Sequence, residues 1–147
     1  MKADEIPLGD LTEIDQTALD VLAKRQDAML ARTISWSKVN TGSYNTEGLK
    51  TFAPMLVEAF AETEATVELI ETAPIDSVKA NGEVVGFQSG PVLRATARPD
   101  APNQVIFTGH YDTVFPKGTF TEVTDLGGGK WNGPGLTDMK GLSLIHI

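Results

Sequence analysis

Apolar residues recur at helical spacing early in the chain. Ile14, Ala18, Val21, Leu22 and Met29 predict a long amphipathic helix over residues 11–32. Asp10 followed by Glu13 resembles a capping box at its start, the aspartate accepting from first-turn amides. Residues 36–44 end in turn formers and read as a helix exit and loop. Asn45 can cap a second helix, whose Leu49, Phe52, Leu56, Ala59 and Phe60 share one face. Pro54 inside it removes a backbone bond to Lys50 and predicts a kink or a late start. Residues 66–70 and 92–98 alternate with period two and read as strands. In the second, Leu93, Ala95 and Ala97 lie on one side and Arg94, Thr96 and Arg98 on the other. The stretch between them, 72–90, reads as loop with a turn at Asn81-Gly82. Pro99-Asp100-Ala101-Pro102-Asn103 is a tight connection leading into Val105-Ile106-Phe107, an apolar run typical of a strand buried on both faces. Helix, helix, strand, hairpin and buried strand open an α/β domain with a mixed sheet.

Composition narrows the chemistry. The chain has 147 residues, 41% hydrophobic and 22% charged, a globular balance that fits one ordinary domain. Twenty acids against 12 bases give a net charge of −8, which argues against nucleic acid or an anionic membrane surface as partner. There is no cysteine, so metal ligands must come from histidine and carboxylates. The N-terminal residues lack a signal-peptide core, and no apolar run approaches the roughly 20 residues of a membrane span. A cytoplasmic location is therefore expected.

Candidate chemistry follows the run at 105–107. In open α/β sheets ligands bind beyond the carboxyl ends of strands, and His110 stands there after Gly109. Asp112, two residues on, projects to the same side in an extended segment. It can accept from one imidazole nitrogen and leave the other for a metal. The bland alternative for this His-x-Asp pair is a surface loop. In a second segment, Gly133-Pro134-Gly135 makes a tight turn and Asp138 presents a carboxylate from irregular backbone. Such a carboxylate can bridge two divalent ions about 3.5–4 Å apart. The alternative is a glycine-rich hairpin in which Asp138 caps the next helix.

Taken in tandem, GHYDTVFP (109–116) and NGPGLTDMKG (132–141) resemble the paired signatures of the zinc-dependent exopeptidases and deacylases. That family includes glutamate carboxypeptidase, acetylornithine deacetylase and succinyl-diaminopimelate desuccinylase. The Gly-Pro-Gly form looks closest to the glutamate carboxypeptidase branch, and the resemblance covers residues 34–141. It implies an N-terminal helical segment (1–33) packing on a three-layer α/β catalytic domain with a mixed sheet, of which 34–141 is the first part. By the same resemblance His110 is a ligand of one zinc, Asp138 bridges both zincs, and Asp112 is the active-site acid that orients and polarises His110. Thr113, Gly135 and Lys140 are expected to shape the loops.

The implied activity is metal-assisted hydrolysis of an amide or peptide bond, in a carboxypeptidase or N-acyl amino acid deacylase, on a small peptide or N-acyl amino acid. It implies two zinc ions per complete site, although cobalt or manganese also suits these donors. The family pattern departs at its end. Leu142 stands where a glycine is expected, and residues 142–147 form an atypical tail, for which a frameshift or an assembly artefact is one reading. His146 reads as a terminal residue rather than a ligand. The family's glutamate general base, its remaining ligands and a smaller domain that supplies homodimer contacts have no counterpart before Ile147. The chain is thus expected to be an inactive N-terminal portion of such an enzyme. One alternative is a non-catalytic binding or regulatory fragment of the same fold. Another is a phosphoryl hydrolase using other metals, disfavoured because no phosphate-cradling Gly-Lys-Ser/Thr loop is present.

Overall fold

A computed structural model of the chain describes residues 12–144. Asp10 and His146 lie outside the described residues. Helix α1 spans Glu13–Ser37, five residues beyond the expected end. Its start is a capping box, but one built by Thr12 and Asp15. The Thr12 hydroxyl accepts from the Asp15 amide at 3.2 Å, and the Asp15 carboxylate accepts from the Thr12 amide at 2.9 Å. The Thr12 hydroxyl also donates to that carboxylate at 2.7 Å, and this bond first, then the one from the Thr12 amide, lowers the Asp15 pKa from its ordinary value. A carboxylate with a depressed folded pKa stabilises fully above its unfolded value and loses that effect as pH falls through the lower folded one. Acidification into that range should fray the first turn of α1. Asp15→Asn should fray it already at neutral pH, read as faster exchange of the Thr12 and Asp15 amides. Equal exchange in the two proteins at pH 7 would remove the capping box from the account.

The chain divides into two compact units between Arg32 and Thr33, inside α1. In the first unit the expected apolar face stays open to solvent: Ile14 is 80% exposed, and Val21 and Leu22 are also exposed. In the second, Trp36 and Ser37 are buried in the last turn of α1 rather than in a loop. Helix α2 covers Thr46–Phe60, and the Asn45 side chain accepts from the Gly48 amide at 3.2 Å, as the sequence predicts. It starts at Thr46 and continues through an exposed Pro54, so the late start is not seen. Leu49, Phe52, Ala53, Leu56 and Ala59 form its buried face and, with Trp36 and Leu144, the core.

A short 3-10 turn, Ala61–Thr63, leads into β1 (Thr66–Ile70). This strand pairs antiparallel with β4 (Val92–Thr96), Val67 opposite Ala95 and Leu69 opposite Leu93. On the other face Arg94 grips Glu68 at 2.7 Å. Both strands pack against α2. Between them, in the stretch read as loop, lies a hairpin of β2 (Ile75–Val78) and β3 (Val84–Phe87). β-favouring residues flank a turn in which Gly82 takes φ of +82° and the Asn81 side chain accepts from the Glu83 amide. Four-residue strands are too short to register as an alternating pattern, which is why only the turn was legible. A second hairpin joins β5 (Thr124–Gly127) to β6 (Lys130–Asn132) through Gly128 and Gly129.

The described residues therefore form an α/β arrangement of helices and small antiparallel ladders rather than one mixed sheet. A single parallel bridge, Gly42 with Thr113, is the exception. The expected buried strand does not form. Val105, Ile106 and Phe107 are 74%, 85% and 70% exposed, and β4 pairs with β1 instead of with them. An apolar run becomes a doubly buried strand only if strands flank it and layers cover it. Among the described residues no strand forms at 105–107. No helix among the described residues is long and apolar enough to cross a membrane.

Candidate functional site

His110 sits in an irregular segment that is pinned on both sides. The Thr113 amide donates to Thr41 O at 2.8 Å, and the Ser43 amide donates to Thr113 O at 2.9 Å. Tyr111, between the two candidate residues, points inward. Its hydroxyl donates to Pro91 O at 2.6 Å and its ring stacks obliquely on Phe52, 5.9 Å between centroids. Burial first, then the charges of Asp112 and Glu71, push the Tyr111 pKa up to about 12, so the phenol stays a donor. With Tyr111 anchored in the core, alternation turns His110 and Asp112 to the opposite, solvent side.

There the imidazole is bracketed by two carboxylates. His110 Nδ1 hydrogen-bonds to the main-chain carbonyl O of Asp112 at 3.1 Å and lies equally far from its carboxylate Oδ1, while Nε2 lies 3.1 Å from Asp138 Oδ1. The Ser43 hydroxyl donates to the other Asp112 oxygen at 2.6 Å, fixing that carboxylate against the ring. A neutral imidazole carries one N–H. If Nδ1–H donates to Asp112, the Nε2 lone pair faces the Asp138 oxygen. That contact is favourable only with a second proton on the ring or a cation shared by the two atoms.

Asp138 comes from the turn between β6 and a short helix, α3 (Lys140–Ser143). Gly135 takes φ of +69°, and a Cβ there would press on Thr113 Cγ2 at 3.0 Å and Lys140 Cδ at 3.2 Å. Glycine is needed for both reasons. The Lys140 amide closes the turn on Gly135 O at 2.9 Å, and the Asp138–Met139 peptide is cis. Asp138 does not cap α3: Met139 occupies that position without a side-chain bond. Its carboxylate is 84% exposed and faces His110 across 28 residues of sequence. His110, Asp112 and Asp138 line a cleft of about 250 Å³ with Thr113, Phe115 and Leu136.

The donor chemistry fits two ligands of one zinc ion. Zinc–nitrogen and zinc–oxygen bonds of about 2.0–2.2 Å at a near-tetrahedral angle place the donors roughly 3.3–3.5 Å apart. The observed 3.1 Å between His110 Nε2 and Asp138 Oδ1 is within a few tenths of that. At the far nitrogen the Asp112 main-chain carbonyl takes the orienting position, with the Asp112 carboxylate beside it. No group of three or more histidine, aspartate or glutamate side chains able to hold a metal forms among the described residues.

Two supporting residues carried no functional signal in the sequence. Ser43, 69 positions from Asp112, lies in what read as a plain loop. Lys140 was expected only to shape the loop, and the structure buries it: it is 1% exposed, with Nζ donating to Trp36 O at 3.0 Å and Val39 O at 2.7 Å. Burial pushes its pKa down to about 8. Comparison with known proteins yields no match, either among protein-family models or among curated sequences.

Proposed function

We propose that the chain carries the first part of a two-metal amide-bond hydrolase site, in the manner of the zinc-dependent exopeptidases and deacylases its motifs resemble. In this reading His110 holds one zinc, Asp138 is the carboxylate shared by two, and Asp112 fixes the His110 tautomer. The observation that carries it is the bracketing of one imidazole by two carboxylates at 3.1 Å each, an arrangement that a cation shared by Nε2 and Asp138 would satisfy. When bound, divalent ions there would polarise an amide carbonyl and make water a better nucleophile at neutral pH. Ser43 holds Asp112, Asp112 orients the ring, and Tyr111 anchors the segment that carries both. The three-layer catalytic fold of that family belongs to the same proposal. So do a small peptide or N-acyl amino acid as substrate, and a general base and further ligands in a longer parent protein.

Zinc titration tests the reading. Two ligands hold zinc loosely, so a Kd on the order of 0.1–1 mM is expected, with no hydrolysis of an acyl-glutamate. The His110 Nε2 resonance should move on titration, and His110→Ala or Asp138→Asn should abolish binding. An Nε2 resonance indifferent to millimolar zinc, or binding that survives both substitutions, would overturn it.

A further inference from the structure

We propose that Lys140 is a positioning residue for Asp138, locking the turn that carries this carboxylate onto the C-terminal end of α1. The inference rests on the assignment of Asp138 as a metal ligand. Helix ends leave carbonyls unpaired and carry partial negative charge, and α1 has no basic residue in its last turn. Lys140 supplies that cation from 104 residues away: its Nζ donates to Trp36 O, which also accepts from the Val39 amide, and to Val39 O just beyond the helix. The ammonium stands 4.8 Å from the centre of the Phe52 ring, so carbonyls and a ring face together replace its water. A buried lysine is tolerated only when satisfied in this way.

The consequence for Asp138 is geometric. Lys140 follows it by two residues, and its amide closes the turn on Gly135 O. Its stem packs beneath Gly135, beside the Thr113 methyl of the histidine-bearing segment. A second tie joins the same parts: the Ser37 hydroxyl donates to Pro134 O at 2.6 Å. Both ties run between the end of α1 and the turn at 133–139. Asp138 itself is exposed, and the only hydrogen bond described for its side chain is to His110. Its place opposite Nε2 is therefore set by the buried lysine behind it.

The test compares Lys140→Met, which keeps the stem and removes the charge, with Leu56→Val, which loosens the same core and touches neither tie. Two readouts are taken at fixed pH: the ring nitrogen shifts of His110 without metal, and the affinity for cobalt(II). Lys140→Met should move the Nε2 shift toward that of Asp138→Asn and weaken cobalt binding at least tenfold. Leu56→Val should leave both near wild type. A wild-type Nε2 shift in Lys140→Met, or an equal displacement in Leu56→Val, would reduce Lys140 to a stability residue and end the proposal. Should Lys140→Met fail to fold, Ser37→Ala cuts the lesser tie alone. It must move the Nε2 shift in the same direction by a smaller amount, and no movement counts against the proposal. If wild type binds no cobalt while Lys140→Met still displaces the His110 shift, Lys140 positions Asp138 and the metal assignment falls instead.

Discussion

Replacing Phe52 by alanine is expected to cost about 3–5 kcal/mol, the range for deleting a fully buried phenylalanine. The side chain has no solvent exposure and stands where three parts of the second unit meet. Trp36 packs edge-on at 5.5 Å, Tyr111 lies at 5.9 Å, and the Lys140 ammonium sits over the ring face. Truncation therefore opens a cavity and also strips a buried cation of one of its neighbours. Small domains are stable by only about 5–15 kcal/mol, so the variant should be largely unfolded at modest urea. Phe52→Leu fills much of the space and should lose roughly half as much. The fluorescence of the two tryptophans, Trp36 beside this ring and Trp131 in β6, followed in a urea titration reads both. A loss below about 1 kcal/mol for Phe52→Ala would show that the core does not close on this ring.

The second large effect concerns association rather than stability. Val105 and Ile106 expose most of their surface in a segment outside every strand among the described residues. Such a run is a template for pairing with another chain, and β-branched, uncharged residues favour it. The protein should therefore form larger species as concentration rises. Ile106→Lys, alone or with Val105→Thr, should return it to monomer while changing unfolding free energy by no more than about 0.5 kcal/mol, because neither side chain is in the core. Light scattering after size exclusion gives the first quantity and a urea melt the second. A wild-type protein that stays monomeric at high concentration contradicts this. So does an Ile106→Lys variant that loses several kcal/mol, since the residue would then be packed.

What the sequence determined by itself is local. The cap at Asn45, the buried face of α2, the strand at Thr66–Ile70 and the start of β4 at Val92 all follow from periodicity and from side-chain bonds to nearby backbone. The nearness of His110 and Asp112 is of the same kind: they stand two residues apart, and His110 Nδ1 lies 3.1 Å from both the main-chain carbonyl and the carboxylate of Asp112. The capping box of α1 was legible as a type but displaced in position, because several acids near the start compete for one role.

What only the tertiary structure decided is long-range. Periodicity marks an apolar run at 105–107 but does not supply the strands that would cover it, so burial there was over-read. Equally, nothing near Val92 shows that β4 pairs with β1 around an inserted hairpin. Asp138 reaches His110 because a left-handed Gly135 and a buried Lys140 hold its turn. Ser43 meets Asp112 because the Thr113 amide donates to Thr41 O and Thr113 O accepts from the Ser43 amide. Local pattern specifies which residue types are available for chemistry. Which of them meet depends on loop closure and on satisfying buried polar groups, and those terms exist only once distant segments are in contact.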